Sequence, residues 1–219
     1  MDTCVLENDA LHLTFDRANG ALVGLTAVET GWSLLDRPHL GLSFRLLVPL
    51  RRSTDDWLTG KRNNPVLGEK QVLTSLDVAA DGRSATFVWD GVTSEEGGPL
   101  DIRVILTVDM APVAAVHAAT FAMTLENRSP YTVEAVFCPY LGDIAHPEGA
   151  DWFKTFIYQY ATAGEWSLWP TYNNMRGYFG VDYPIQLAAG APMSPYILLR
   201  SADQGLYAGV AAPSTELVA

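Results

Sequence analysis

The sequence predicts an all-β protein built as an antiparallel two-sheet sandwich, and three observations support that prediction. Apolar residues alternate with polar ones in run after run, beginning with Leu11, Leu13 and Phe15, as expected of strands that bury one face. Turn-forming pairs separate the runs, and Asn19-Gly20 is a strong hairpin signal because both residues tolerate positive φ. No convincing amphipathic helix interrupts these runs, so neighbouring strands are expected to pair antiparallel through short turns.

The individual strand predictions rest on runs that each place apolar residues on one face. These runs are residues 11–15, 21–28, 42–48, 71–78, 85–89, 100–108, 117–125 and 133–137. Residues 53–68 are polar and contain Asn63-Asn64-Pro65, which predicts a long exposed loop. Residues 151–160 carry apolar side chains near helical spacing and are the one helix candidate, although so many aromatics also suit a strand. Farther on, residues 196–199 and 206–210 predict a hairpin around residues 202–205.

The length fits one large β domain as easily as two small ones, and the composition allows a self-sufficient core. The chain has 219 residues, of which 48% are hydrophobic and 18% are charged. A β-sandwich of this size often forms a single domain, and about 70% of its unfolded surface can be buried on folding. We therefore predict one β-sandwich domain over residues 1–219. The composition is too apolar for a disordered chain and too mixed for a membrane protein.

The charge balance limits the classes of partner. There are 25 Asp and Glu against 14 Lys and Arg, which gives a formal net charge of −11. Phosphate groups repel such a surface, so neither nucleic acid nor an anionic membrane is expected as a partner. No window approaches the roughly 20 consecutive apolar residues that span a bilayer. The amino terminus lacks the pattern of a signal peptide, which predicts a cytoplasmic location.

Several segments together resemble a known family. Residues 6–11 and 14–16, followed by Asn19-Gly20-Ala21-Leu22 and Leu25, resemble the first hairpin of galactose-mutarotase-like sandwich domains. Residues 121–127 with 133–142, and residues 170–175 with the strand at 205–207, are similar to the same group. The resemblance implies a β-supersandwich that precedes the catalytic barrel of a glycoside hydrolase, packs on that barrel and shapes one wall of the sugar site. The catalytic carboxylates of such an enzyme lie on the barrel.

One departure from that family bears on activity. Active mutarotases use a histidine acid and a glutamate base around the sugar ring. None of the four histidines aligns with the motif that carries the family's histidine: His12, His39, His117 and His146. An independent epimerase activity is therefore in doubt, and the resemblance assigns no catalytic residue to this chain.

The aromatic-rich segment near the carboxyl end is the best candidate for a carbohydrate site. Sugars stack their C–H faces on aromatic rings, and their hydroxyls need paired donors and acceptors. Within eleven positions the chain supplies both kinds of group: Trp166, Trp169, Tyr172, Asn173, Asn174 and Arg176. Two alternatives use the same residues. The rings can fill a core or domain interface with their polar ends satisfied locally, or they can anchor a protein–protein interface.

Other candidate groups are interpreted as structural. Asp143, His146, Glu148 and Asp151 lie close in sequence, but their spacing matches no metal motif, so a solvated turn is expected and no metal or cofactor is predicted. His117 falls on the apolar side of its predicted strand, which indicates a core histidine. Cys4 and Cys138 are interpreted as two buried thiols, although a disulfide stays possible.

Three functional hypotheses follow from these observations. The leading one is a non-catalytic, carbohydrate-associated domain of a glycoside hydrolase, with carbohydrate and a catalytic barrel or partner subunit as its partners. The first alternative is an autonomous sugar epimerase or lyase in which His146 or His117 and a nearby glutamate act as acid and base. The second alternative is a carbohydrate-binding or subunit-assembly module.

Overall fold

The structure is a computed structural model of the whole chain. It describes residues 1–50, 64–113, 116–142, 144–149, 154–159, 162–167, 196–201 and 203–209. The chain divides into two compact units, Met1–Ile144 and Ala145–Ala219. Strands dominate the described residues, and all their pairings are antiparallel. The predicted all-β, antiparallel class is therefore confirmed. None of the described helices is long and apolar enough to cross a membrane.

The first unit opens with a four-stranded sheet in which each strand pairs with the next along the chain. Its strands are β1 (Thr3–Glu7), β2 (Leu11–Asp16), β3 (Leu22–Ala27) and β4 (Ser33–Leu35). A short 3-10 helix, Pro38–Leu40, follows. The predicted hairpin at Asn19-Gly20 joins β2 to β3, and Gly20 has a φ of 71°. This part of the strand prediction is confirmed.

A larger sheet completes the first unit. Its strands are β5 (Arg45–Leu47), β6 (Pro65–Leu67), β7 (Ser75–Val78), β8 (Ser84–Ser94), β9 (Gly98–Asp109), β10 (Thr120–Asn127) and β11 (Ala135–Phe137). They are arranged in the order β10-β9-β8-β6-β5-β11, and β7 pairs with β8 beside this path. A second 3-10 helix, Gly68–Lys70, follows β6 directly. The alternation in β8 and β9 is as predicted, because Phe87, Ile102 and Val104 are all fully buried.

Aromatic side chains connect the two sheets of the first unit. The ring of Phe15 on β2 lies 4.9 Å from the ring of Phe87 on β8, measured between centroids. Within the larger sheet Phe44 meets Trp89 edge-on at 4.9 Å, and Nε1 of Trp89 donates to the carbonyl oxygen of Asn19 in the β2–β3 hairpin over 3.3 Å. All four rings are fully buried, and pairs of this kind contribute about 0.5–1.5 kcal/mol beyond the area they bury. The two sheets therefore share one hydrophobic core.

The second unit contains a separate four-stranded sheet. Its strands are β12 (Lys154–Gln159), β13 (Thr162–Ser167), β14 (Tyr196–Ser201) and β15 (Gln204–Gly209), arranged in the order β13-β12-β14-β15. The predicted hairpin around residues 202–205 is confirmed by the pairing of β14 with β15. The helix candidate at residues 151–160 is wrong over its described part. Lys154–Gln159 is a strand with partners on both edges, and Thr, Phe, Ile and Tyr in succession favour that extended backbone.

Two further expectations are corrected in the first unit. The exposed loop predicted for residues 53–68 is wrong at its end, since Asn64 is fully buried and Pro65–Leu67 forms β6; residues 53–63 lie outside the described part. His117 is not a core histidine. β10 begins only at Thr120, so the strand alternation does not extend back to His117, whose side chain is 45% exposed beside Asp9.

Candidate functional site

The most unusual side chain in the described part of the first unit is a buried arginine. Arg45 lies on β5, between Leu67 of β6 and Phe137 of β11, and is only 4% exposed. Arginine is almost never buried to this degree unless its charge is paired. The surroundings of Arg45 therefore define the candidate site.

Glu69 supplies the opposite charge. The guanidinium of Arg45 donates through Nη1 to Oε2 of Glu69 and through Nη2 to Oε1, the latter over 2.9 Å. A bidentate pair of this kind fixes the orientation of both groups as well as neutralising them. Nη1 also donates to the carbonyl oxygen of Phe44 over 3.0 Å. Both carboxylate oxygens of Glu69 are thus occupied by the guanidinium, which suits a positioning role rather than proton transfer.

An aromatic ring covers the guanidinium. The Cζ atom of Arg45 lies 4.5 Å from the ring centroid of Tyr140, which is itself buried. Guanidinium groups stack favourably on aromatic faces, and the attraction grows when both are removed from water. The backbone N–H of Tyr140 donates to the carbonyl oxygen of Ser43 over 2.9 Å. Tyr140 is therefore held against the same strand that carries Arg45.

Side-chain amides hold Glu69 in place. Glu69 sits in the 3-10 helix Gly68–Lys70, where the Nδ2 group of Asn19 donates to its carbonyl oxygen over 2.9 Å. After the helix, Gln71 donates through Nε2 to the carbonyl oxygens of Leu67 and Thr93, and accepts from the N–H of Thr93. These contacts tie the helix to the β2–β3 hairpin on one side and to β8 on the other. The carboxylate of Glu69 is consequently preorganised toward Arg45.

A close backbone approach is built into the same helix. The N–H of Gly68 donates to the carbonyl oxygen of Phe44 over 2.9 Å. A Cβ added at Gly68 would lie 2.6 Å from Cδ1 of Phe44 and 2.7 Å from its backbone nitrogen. Only glycine fits here, because backbone cannot move aside as a flexible side chain can. The sequence places Gly68 where β6 must pass directly into the helix that carries Glu69.

Two polar atoms of the site have no hydrogen-bond partner among the described residues. They are Oγ of Ser43 and Nε of Arg45, each in a buried residue. Such atoms are uncommon in native folds because burial without a partner is costly. Both atoms belong to the segment that carries the Arg45–Glu69 ion pair.

The two thiols are free and neither is activated. Cys4 is buried, Cys138 is half-buried, and no disulfide joins them. Removal from water raises the pKa of the Cys138 thiol to about 12, and burial also raises the pKa of Cys4. Since only the thiolate is a good nucleophile, neither cysteine suits covalent catalysis near neutral pH. The interpretation of Cys4 as a buried thiol is confirmed, while Cys138 is less buried than expected.

Charged residues occupy part of the outward face of the large sheet. Arg128 donates through Nη2 to Oε2 of Glu126 over 2.8 Å, and its Nη1 lies 3.5 Å from Oδ1 of Asp101. The hydrogen bond that Arg128 donates to Glu126, followed by the charge of Asp101, raises the pKa of Arg128. Arg103 adds a contact of 3.7 Å to Glu126. These are solvated pairs, which contribute little to stability. Arg128 lies in the turn after β10, where Oδ1 of Asn127 accepts from the N–H and the hydroxyl of Ser129.

The structure describes little of the carbohydrate site predicted from sequence. Trp166 lies on β13, where its backbone pairs with Thr155 of β12; its side chain is not described. The other five candidates lie outside the described residues: Trp169, Tyr172, Asn173, Asn174 and Arg176. These six assignments stay predictions.

The second predicted cluster is described only in part. Asp143 and Asp151 lie outside the described residues, as do Asp55, Asp56 and Trp57 of the loop. Glu148 is exposed, and Nδ1 of His146 lies 3.4 Å from the carbonyl oxygen of Pro147. Among the described residues no group of three or more histidine, cysteine, aspartate or glutamate side chains is placed to hold a metal ion.

The sequence interpretation missed the Arg45–Glu69 pair. A usable signal was present, because Arg45 interrupts an apolar run whose members Phe44, Leu46 and Val48 are all buried. A charged residue between buried neighbours needs a partner, and Glu69 could not be identified as that partner without the fold. No protein-family model matches the chain, and no curated protein matches it either. The function is accordingly inferred from this geometry and from the sequence.

Proposed function

We propose that the chain is a non-catalytic, carbohydrate-associated domain of a glycoside hydrolase, with a galactose-mutarotase-like supersandwich fold. In this proposal it packs on a catalytic barrel and shapes one wall of the sugar site. The observation that carries the proposal is the antiparallel two-sheet core of the first unit, in which Phe15 on one sheet meets Phe87 on the other. That architecture agrees with the family resemblance, which rests on the β2–β3 hairpin, on the segments around β10 and β11, and on residues 170–175 with the strand at 205–207.

The charged groups of the Arg45 site favour a structural role. Glu69 is the partner of Arg45 through both of its oxygens, and Tyr140 covers the guanidinium. A general acid or base must be able to exchange a proton with substrate, whereas these groups are committed to one another. Glycoside hydrolysis in the whole enzyme would depend on two carboxylates flanking the scissile bond, and we assign that pair to the barrel.

The aromatic segment supplies the contact with carbohydrate in this proposal. Trp166 belongs to a strand that is paired with β12 in a four-stranded sheet. Aromatic rings can stack on the C–H faces of sugars, and neighbouring amides and a guanidinium can pair with sugar hydroxyls. We therefore assign the glycan-facing role to the aromatic and polar residues from Trp166 to Arg176.

The epimerase alternative receives less support from the described residues. Of the two candidate histidines, His117 lies 3.8 Å from Asp9 with 45% of its side chain exposed, and Nδ1 of His146 lies 3.4 Å from the carbonyl oxygen of Pro147. His12 lies 3.4 Å from Glu7 on the outward face of the first sheet, again in an exposed position. A sugar epimerase needs its acid and base to converge inside a concave pocket, which these surface pairs do not do.

The test is a thermal-shift screen of the purified chain against mono- and oligosaccharides. A ligand at 100 times its dissociation constant should stabilise the fold by about 2.7 kcal/mol, which is readily detected. We expect a shift with one class of sugar that disappears in Trp166→Ala and Trp169→Ala. Tyr131→Ala, which alters an aromatic residue in the turn after β10, is the control and should retain the shift. A shift retained by both tryptophan variants would contradict the assignment.

A further inference from the structure

Two buried polar atoms beside the ion pair have no hydrogen-bond partner among the described residues, Ser43 Oγ and Arg45 Nε. Ser43 is 6% exposed and Arg45 is 4% exposed, so bulk water does not solvate either atom. The Nε–H group belongs to a cation and can only donate, while a serine hydroxyl can donate or accept. Leaving a charged donor buried without an acceptor is more costly than leaving a neutral one. A stable fold is therefore expected to provide an acceptor at this place.

The two atoms share one neighbourhood. Ser43 lies two positions before Arg45, just ahead of β5. The N–H of Gly68 donates to the carbonyl oxygen of Phe44 and the N–H of Tyr140 to that of Ser43, which continues the pairing of β5 with β6 and β11 through these residues. In extended backbone of this kind, side chains two positions apart lie on the same side, about 7 Å apart at their bases. Tyr140 contacts both residues, because its N–H bonds to the carbonyl oxygen of Ser43 and its ring covers the guanidinium of Arg45. One oxygen atom that makes two hydrogen bonds of about 2.9 Å can bridge almost 6 Å.

We propose that Ser43 Oγ and Arg45 Nε–H bind one neutral hydroxyl oxygen, which accepts from Nε–H and donates to the serine oxygen. The charges around the site select this chemistry. A bound anion would be repelled by the Glu69 carboxylate, whose oxygens already contact Nη1 and Nη2. A bound cation would be repelled by the guanidinium itself. A group that both accepts and donates, without a charge of its own, satisfies the two atoms together.

Such a hydroxyl has two sources, enclosed water or the hydroxyl of a sugar. Enclosed water is consistent with the burial of Ser43 and Arg45. Ordered buried waters usually form hydrogen bonds with polar groups that lack protein partners. Because Ser43 is buried, a sugar hydroxyl would reach the same position only after the residues that enclose Ser43 move apart. The sugar source rests on the proposed function, whereas the water source does not depend on it. If no sugar hydroxyl binds at this site, the water source can still be tested independently.

Removing the hydroxyl of Ser43 changes the stability of the fold in a direction that depends on whether this hydroxyl holds a bound oxygen or has no partner. Removal of an orphaned buried hydroxyl is neutral or stabilising, whereas removal of a hydroxyl that holds an oxygen against Arg45 is destabilising. We expect Ser43→Ala in the full chain to lower the ratio of folded to unfolded protein by about fivefold. The control is Ser94→Ala, since Ser94 Oγ is 3.1 Å from the N–H of Gly97 and 3.3 Å from the carbonyl oxygen of Gly98. It should be destabilised in the same direction.

A crystal structure of the full chain at high resolution identifies the oxygen directly. We expect density within hydrogen-bond distance of both atoms in the parent protein and its loss in Ser43→Ala. If soaked monosaccharide replaces that density, or if a sugar-dependent thermal shift is lost in Ser43→Ala, the source is a sugar hydroxyl. Unchanged density with every sugar assigns it to water. Absence of any oxygen at both atoms, or a Ser43→Ala variant as stable as the parent, would overturn the proposal.

Discussion

The side chain of Asn8 and the carbonyl oxygen of Met110 lie 3.0 Å apart, although 102 residues separate them. Nδ2 of Asn8 also donates to the carbonyl oxygen of Ala118 over 3.0 Å, and Oδ1 accepts from the N–H groups of Ala10 and Leu11. One amide thus completes the β1–β2 turn and fastens it to the connection between β9 and β10. The two sheets of the first unit are joined here by polar contacts as well as by their aromatic core.

Replacing Asn8 is expected to weaken the fold markedly. Asn8→Ala removes four hydrogen bonds and leaves partly buried backbone groups unpaired, so we expect a loss of about 2–3 kcal/mol in the free energy of unfolding. Asn8→Asp keeps the two acceptor contacts but puts a carboxylate beside two carbonyl oxygens, and should be at least as harmful at neutral pH. Chemical denaturation measures both. The control is Asn127→Ala in an exposed turn, which should cost less than about 1 kcal/mol; an equal effect of the two alanine variants would contradict this account.

The Arg45–Glu69 pair is predicted to be sensitive to the loss of one partner. Glu69→Gln leaves the buried guanidinium without an opposite charge, and we expect a loss of about 3–5 kcal/mol. The double variant Arg45→Met with Glu69→Met should recover most of that loss, because no charge is then left uncompensated. Lys70→Ala, which breaks the exposed pair with Glu95, is the control and should change stability by less than about 1 kcal/mol. The prediction fails if the double variant is no more stable than Glu69→Gln.

Gly20 and Gly31 have the same backbone conformation but different surroundings. Replacing each by alanine therefore distinguishes the cost of backbone strain from the cost of a steric clash. Gly20 has φ of 71° and Gly31 has φ of 70°, but an added Cβ at Gly20 would lie 2.5 Å from Cζ2 of Trp89, whereas nothing lies within 4 Å at Gly31. Gly31→Ala should cost about 1 kcal/mol from the left-handed backbone alone. Gly20→Ala should cost about 1–3 kcal/mol more, because the buried indole must shift. Thermal or chemical denaturation of both variants tests this, and equal losses would show that Trp89 gives way freely.

The Cys138 thiol is expected to resist alkylation and to link stability to high pH. Its pKa is raised by burial from 9.0 to about 12. The unfolded chain ionises this thiol near pH 9, whereas the folded chain keeps it neutral until about pH 12. The stability associated with the neutral thiol is therefore fully present below pH 9 and is lost as pH rises through that interval.

Mass spectrometry after iodoacetamide treatment at pH 8 measures this protection. Native protein should be labelled slowly at Cys138, and denatured protein rapidly at both cysteines. Cys138→Ala should reduce the decline in unfolding free energy between pH 9 and pH 12. Rapid labelling of Cys138 in the native protein would contradict the raised pKa of this thiol.

Much of the first unit follows from local patterns. The Asn19-Gly20 pair predicts the turn between β2 and β3 because two positive-φ residues between alternating runs have few other structures available. Alternation predicts β8 and β9, since a period of two places every second residue in the core. Prediction failed where alternation ended unnoticed, as at His117, and where a polar residue entered the core, as at Asn64. The backbone partners of Asn64, Val48 and Glu96, come from distant positions that no local pattern reveals.

The sequence by itself determined the all-β class, the hairpin turns and the apolar faces of the longer strands, because each depends on residues that are near neighbours along the chain. Tertiary structure alone decided that Arg45 meets Glu69 and that Asn8 meets Met110. A buried charge or amide is stable only where a complementary group arrives in the right geometry, and that group is brought there by the pairing of strands far apart in sequence. The sequence alone could not reveal these contacts because strands that are far apart in the chain pair with one another, as β5, β6 and β11 do side by side.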